Sequence, residues 1–187
     1  MTDRLEEIVK GCIAGDSHCQ KKLYMLLSPG MYALCLQYAS DTDEANDFLQ
    51  EGFIRVFTKI SSYRWEGSFE GWVRKIIVNT ALQMIRKKKQ MFVLNEELTE
   101  DTSYEIPVVQ GKLDKEDLMM MVRNLPVNQR IVFNLFVIEG YNHSEIAKLT
   151  GMPENTSKSH LHRARTGLKE MINLHWEVSD KKSKKNV

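Results

Sequence analysis

The chain has 187 residues, 42% hydrophobic and 27% charged, with a formal net charge of +1. Its ten glycines and four prolines are too few for an all-β protein, which needs a turn about every eight to twelve residues. No run approaches the roughly 18 apolar residues of a membrane span, and the N-terminus lacks the features of a signal peptide. We therefore expect a helical, cytoplasmic protein with no membrane insertion, built as one ordinary domain or two small ones.

The charges and cysteines narrow the function further. Residues 90–111 hold five carboxylates and no lysine or arginine, whereas the stretches on either side are mildly basic. This pattern suits a nucleic-acid binder whose connector stays off the phosphates. The three cysteines are widely spaced, with no histidine at zinc-site spacing, so we expect buried, reduced side chains, no metal site and no cofactor. They are Cys12, Cys19 and Cys35.

Helical spacing of apolar residues begins at the N-terminus. Gly15 is predicted to end the first helix, with Asp16 capping the second. Pro29 and Gly30 interrupt the second pattern, so a separate third segment is predicted at about residues 31–39. Asp41, followed three residues later by a glutamate, then has the pattern of a capping box at the start of the best-defined helix. Apolar residues repeat along that helix over five turns, up to residue 60.

A loop, SSYRWEG, separates this helix from a long one that Ser68 is predicted to cap. Phe69 and Trp72 lie on the apolar stripe of the long helix, so core positions are favoured for them, whereas Tyr63 and Trp65 are better candidates for exposed stacking. Helical periodicity stops after residue 89 and resumes at residue 113, so a linker is predicted between them. Two further short helices are predicted from residue 113 to residue 140.

The C-terminal region has the pattern of a helix-turn-helix. Asn142 and Glu145 form a capping box for a short helix, Gly151 supplies the left-handed residue of a tight turn, and Pro153 starts a second helix. This arrangement is the one that places the second helix in a DNA major groove, and the pattern favours that interpretation over the alternative, an ordinary helical hairpin with a solvated basic face. The outward face of the second helix carries hydroxyl and cationic donors suited to phosphates and base edges: Thr156, Lys158, Ser159, His162, Arg163 and Arg165.

Three segments resemble the extracytoplasmic-function (ECF) sigma factors of RNA polymerase. The stretch LPVNQRIVFNLFVIEGYNHSEIAKLTGMPENTSKSHLHRAR is similar to the family's C-terminal DNA-binding domain, DEANDFLQEGFIRVFTKI to its polymerase-docking helix, and SFEGWVRKIIVNTALQMIRKKK to its promoter-melting helix. The resemblance covers about residues 5–175 in the family's order. It implies an all-α chain of two small helical domains joined by a linker, the C-terminal one a helix-turn-helix of winged-helix-like or three- to four-helix type.

The resemblance also implies a role for each part. Residues 1–90 would be sigma region 2, 91–112 an acidic linker, 113–175 sigma region 4, and 176–187 a basic tail, of which residues 181–185 are expected to be disordered. Region 4 would recognise the minus-35 element through the six residues on the outward face. Region 2 would meet core polymerase through Asp47, Gln50, Glu51, Phe53 and Arg55. It would recognise and melt the minus-10 element through Tyr63, Arg64, Trp65, Ser68, Arg74, Lys75, Asn79, Arg86 and Lys87.

The partners implied are core RNA polymerase, promoter DNA and an anti-sigma factor, with the chain a monomer when free of them. The acidic linker could mimic nucleic acid in the polymerase cleft. Two other classes are weighed against this non-enzymatic role. A one-component regulator would dimerise on palindromic half-sites, but the chain has no long coiled-coil seam. An enzyme would need a phosphate loop, metal spacing or nucleophile motif, and none is present.

Overall fold

The computed structural model describes residues 3–93 and 113–183, and the chain divides into two compact units near residue 92. Both units are helical, and the described residues contain no strand. The all-α prediction is therefore confirmed. The predicted linker at 91–112 lies almost wholly outside the described residues.

Four helices build the N-terminal unit. They are α1 (Asp3–Ile13), α2 (Ser17–Cys35), α3 (Thr42–Lys59) and α4 (Phe69–Val93), with a 3-10 turn at Ile60–Ser62. Helix α2 packs against α1 and α3. The largest fully buried side chains of this unit come from all the segments after α1: Leu23, Met31, Leu34, Tyr38, Phe48, Phe69 and Ile77.

Proline 29 does not end a helix, so the predicted break at Pro29-Gly30 is wrong. Helix α2 continues through Pro29 to Cys35. A proline inside a helix removes one backbone hydrogen bond and costs about 3 kcal/mol. Leu27 and Met31 are buried on either side of it, and their packing holds both halves of α2 in one helix.

Helices α3 and α4 contact each other near Gly52 and again at the start of α3. At Gly52 a Cβ atom would lie only 2.3 Å from Cδ1 of Ile77, so glycine permits this close approach. At the start of α3, Asp41 accepts the Glu44 amide at 2.7 Å, but Glu44 accepts the amide of Ser40 in place of the predicted reciprocal bond. Its other oxygen binds Lys88 of α4 at 2.9 Å.

The C-terminal unit also has four α-helices: α5 (Lys115–Arg123), α6 (Val127–Phe133), α7 (His143–Thr150) and α8 (Glu154–Ser183). Its described residues contain no strand, so of the two predicted types it is the four-helix one. A π-helical turn, Asn134–Ile138, follows α6. Helix α8 continues to Ser183, so the disorder predicted for residues 181–185 is wrong for residues 181–183, and the basic tail predicted from residue 176 begins within this helix. Helix α5, the residue Leu125 that follows it, and helix α8 share one buried cluster: Met121, Val122, Leu125, Ala164, Leu168 and Met171.

Candidate nucleic-acid interface

The helix-turn-helix is built as its sequence predicts. Asn142 and Glu145 complete the capping box of α7, at 2.9 and 2.8 Å. Gly151 ends α7 in the left-handed conformation, with φ 77°, and donates its N–H to the carbonyl of Ala147 at 2.8 Å. Ile146 of α7 and Leu161 of α8 are buried, the two helices pack against each other, and the opposite face of α8 is exposed to solvent.

The outward face of α8 carries every residue predicted for it. Helical geometry of about 100° per residue places Thr156 and Arg163 on one flank and Lys158 and Arg165 on the other, with the remaining two between them. Asn155 and Thr166 lie on the same exposed face and were missed, although the helical period of the sequence alone identifies them. The six predicted residues are all exposed: Thr156, Lys158, Ser159, His162, Arg163 and Arg165.

The loop before α4 is held by an aromatic cluster. Tyr63 is 5% exposed, donates its hydroxyl to the carbonyl of Gly67 at 2.9 Å, and packs edge-on against Phe69 at 5.0 Å between ring centroids. The prediction that Tyr63 is exposed for stacking is therefore wrong, because its ring anchors the loop from inside. Phe69 is buried, as favoured, and Trp72 is partly buried.

Trp65 is the exposed aromatic of this loop. It is 40% exposed, and its centroid lies 5.3 Å from that of Tyr63 and 5.8 Å from Nζ of Lys10. Its φ of 61° is left-handed, which is uncommon outside glycine and often marks functional positions. The loop thus presents one large ring to solvent on a fixed backbone.

The cationic track on α4 is narrower than predicted. Lys75, Asn79 and Arg86 fall on one stripe of the helix by their spacing, whereas Arg74 and Lys87 point to other sides. Oδ1 of Asn79 is buried and has no hydrogen-bond partner among the described residues. Arg64, Ser68, Lys75, Arg86 and Lys87 are exposed, and Arg74 and Asn79 are partly buried. Ser68 accepts the amide of Gly71 at 3.3 Å, which confirms it as the cap.

The polar face of α3 corresponds to the predicted partner surface with one correction. Phe53 is buried against Tyr24, with ring centroids 4.7 Å apart, so it does not belong to an exposed surface. Ile54 takes its place: it is 61% exposed, four residues after Gln50 and seven after Asp47. The sequence could have identified Ile54, because it is an apolar residue that lies outside the repeating apolar positions of this helix. Asp47 and Gln50 are exposed, while Glu51 and Arg55 are partly buried.

Arg55 is engaged within the chain. It binds Glu51 at 2.9 Å and also donates to Gln83 of α4. It therefore braces the two helices as well as bordering the polar face.

The cysteines and the ion-binding groups add no further site to the described residues. Cys12 and Cys35 are buried, as predicted, and burial raises the pKa of their thiols to about 11 and about 12. Cys19 is partly exposed and its thiol donates to Asp16 at 3.2 Å, so the prediction of burial is wrong for it. Over residues 3–93 and 113–183, no cluster of metal ligands is found and no helix is long and apolar enough to cross a membrane.

Comparison with known proteins identifies both units. Residues 23–91 match the family model for sigma-70 region 2, and residues 115–168 match sigma-70 region 4. The ECF RNA polymerase sigma factor SigW of Bacillus subtilis is 27% identical over 90% of this chain and 96% of that protein. RNA polymerase sigma factor SigV of the same organism is 31% identical over 71% and 78%. The sigma factor RpoE of Bartonella quintana, solved with the anti-sigma factor NepR, matches with a TM-score of 0.52 and 25% identity, over 82% of this chain and 96% of that one.

Proposed function

Because this chain belongs to the ECF sigma factors of RNA polymerase, we propose that it binds core polymerase, directs it to promoters and starts transcription there. The observation that carries the proposal is the pairing of two units in the family's order, each with its own candidate DNA-binding surface. The role requires binding and the opening of DNA, and no covalent chemistry by the chain itself.

For the C-terminal unit we propose recognition of the minus-35 element by α8. Thr156 and Ser159 place hydroxyl groups near the start of the helix, and Arg163 follows one turn later with a guanidinium group that can take a guanine edge. Asn155 adds an amide at the N-terminal end. A helix that binds in the major groove needs exposed hydrogen-bond donors for phosphates and base edges, and this face of α8 supplies them.

For the N-terminal unit we propose capture of unstacked minus-10 bases by the loop and the stripe on α4. A base drawn from the duplex needs an aromatic face and polar groups for its edge. Trp65 offers the ring, and Asn79, a partly buried residue whose Oδ1 has no hydrogen-bond partner among the described residues, adds an amide group for such an edge. Lys75 and Arg86 would attract the strand's phosphates.

For polymerase binding we propose the α3 face centred on Ile54. An exposed apolar side chain ringed by Asp47, Gln50 and Glu51 has the apolar centre and polar rim of a protein interface. The relative from Bartonella quintana was solved bound to an anti-sigma factor. We propose that a protein of this kind controls the present chain by covering one of these surfaces.

Transcription in vitro tests the proposal. The purified chain added to core polymerase should yield transcripts from specific promoters, while the chain alone should bind duplex promoter weakly. Ile54→Ala should reduce the affinity for core polymerase, whereas Ile13→Ala, an exposed apolar residue of α1, serves as its control. Tight binding of the free chain to a palindrome would instead indicate a one-component regulator and overturn the sigma assignment of these surfaces.

A further inference from the structure

A histidine outside the predicted DNA-binding set lies between the two helices of the helix-turn-helix. His143 is the first residue of α7, and its Nδ1 lies 2.9 Å from Oγ of Ser157, a fully buried residue of α8. Its ring stacks on Phe136 of the π-helical turn, with centroids 4.6 Å apart and planes at 25°. Contacts from two elements therefore fix the orientation of this imidazole.

Two cations border the same histidine. Lys158 and Arg165 lie about two turns apart on one flank of α8, and the Arg165 guanidinium is 5.9 Å from the Phe136 centroid. Burial, followed by the positive charge of Lys158, lowers the pKa of His143; Arg165 acts in the same direction and Glu154 in the opposite one. Phe136 and Ser157 bring no charge, so the surroundings of the imidazole favour its neutral form in the free chain.

We propose that His143, Lys158 and Arg165 together bind a backbone phosphate of the minus-35 duplex, and that promoter binding takes up a proton at His143. The inference rests on the function proposed above and divides the exposed face of α8 into two parts. Lys158 and Arg165, on the flank of α8 beside His143, bind the phosphate. Thr156 and Arg163, on the opposite flank, remain available to contact bases.

The contacts of His143 indicate which of its two ring nitrogens can face the phosphate. Ser157 engages Nδ1, so the other nitrogen, Nε2, is the one that can meet a phosphate. A protonated imidazole donates from both nitrogens, and the buried hydroxyl can accept as well as donate. A phosphate against Lys158 and Arg165 offsets the repulsion that disfavours this cation. The complex then holds one more proton than the free chain, so affinity increases as the pH falls.

The test is the dissociation constant of the holoenzyme, the chain with core polymerase, for a promoter fragment at pH 6, 7 and 8 and constant ionic strength. From pH 8 to pH 6 the wild type should gain about three- to tenfold more affinity than His143→Asn, since a pKa change of one unit is tenfold in affinity. Asparagine keeps a polar atom near the position of Nδ1 for Ser157, and each protein is judged by the ratio of its own affinities at pH 6 and pH 8, so a loss of affinity that is common to all pH values does not count. His18→Asn, an exposed histidine of the other unit, should keep the full gain.

The second arm uses the DNA. A neutral methylphosphonate at one position of the minus-35 backbone should reduce the pH dependence of the wild type to that of His143→Asn and leave that of His143→Asn unchanged. An equal pH dependence of the affinity in the wild type and His143→Asn would overturn the proposal. So would a pH dependence that is lost in His162→Asn but kept in His143→Asn. Failure of the wild-type holoenzyme to prefer the promoter over scrambled DNA at pH 8 would instead refute the proposed function.

Discussion

The outward face of α8 and the loop before α4 are built differently, although both are proposed to bind DNA. On α8 all six predicted residues are exposed on a regular helix. Of the two aromatic rings in the loop, that of Tyr63 is buried and that of Trp65 is exposed, on a left-handed backbone. A helix displays many side chains by its period alone, whereas this loop exposes one aromatic ring and buries the other, which holds the backbone in place. We therefore expect the loop to be sensitive at a few positions and the helix to distribute its binding energy over many.

The largest effect is expected at Trp65. Trp65→Ala should weaken binding to promoter DNA that carries an unpaired minus-10 segment by about 1–3 kcal/mol, because one base loses its stacking partner. Trp65→Phe keeps an aromatic face and should retain most of the binding. The measurement is holoenzyme affinity for the unpaired template against a fully paired one. An equal loss on both templates would remove the distinction between loop and helix.

At Arg163 the expected effect is confined to the duplex element. Arg163→Ala should cost about 1–3 kcal/mol for a consensus minus-35 duplex and relax preference at one base pair. Arg163→Lys should keep the positive charge but lose the bidentate hydrogen bonds that arginine can form with a guanine. Binding to a panel of single-base-pair variants measures this. A loss that is uniform across the panel would assign Arg163 to a phosphate and leave the flank of α8 opposite His143 without a base reader.

The packing of α3 against α4, the two helices on either side of the loop, can be destabilised without changing the helix-turn-helix. Gly52→Ala should destabilise the N-terminal unit by about 1–2 kcal/mol, since the new methyl would displace the buried end of Ile77. Gly30→Ala is the matched control, because nothing lies within 4 Å of its Cβ position. It should stabilise by about 0.5–1 kcal/mol. Thermal unfolding measures both, and an equal shift in the two variants would contradict the close contact between α3 and α4.

The smallest effect is expected at the pair of Glu44 and Lys88. Burial alone would raise the pKa of Glu44, but the hydrogen bonds from Lys88 and Ser40 bring it below 4.5. The hydrogen bond to Glu44 is the main cause that raises the pKa of Lys88 above 10.5. The pair should therefore stabilise the fold fully between about pH 4.5 and 10.5, losing its contribution as Glu44 is protonated below this window and as Lys88 is deprotonated above it.

Unfolding of Lys88→Ala by denaturant measures that contribution. Because the lysine side chain is 53% exposed, the loss at pH 7 should be a few tenths to about 1 kcal/mol. It should vanish near pH 3. Lys87→Ala, which removes a neighbouring cation outside the pair, should change stability less at pH 7. A cost of Lys88→Ala that persisted unchanged in acid would show that the lysine acts through packing of its alkyl chain instead.

The sequence by itself determined the two helical units, the caps at Asp16, Ser68 and Asn142, and the exposed face of α8. These follow from local rules, the helical period and short-range capping, which need no knowledge of distant residues. Only the tertiary structure decided that α2 continues through Pro29, that Phe53 and Tyr63 are buried, and that Ile54 is exposed. Each of these depends on packing between residues far apart in the chain, where the free energy of burial outweighs local preference. His143 belongs to the same group, because its stacking on Phe136 and its bond to Ser157 exist only once α7, α8 and the π-helical turn have come together.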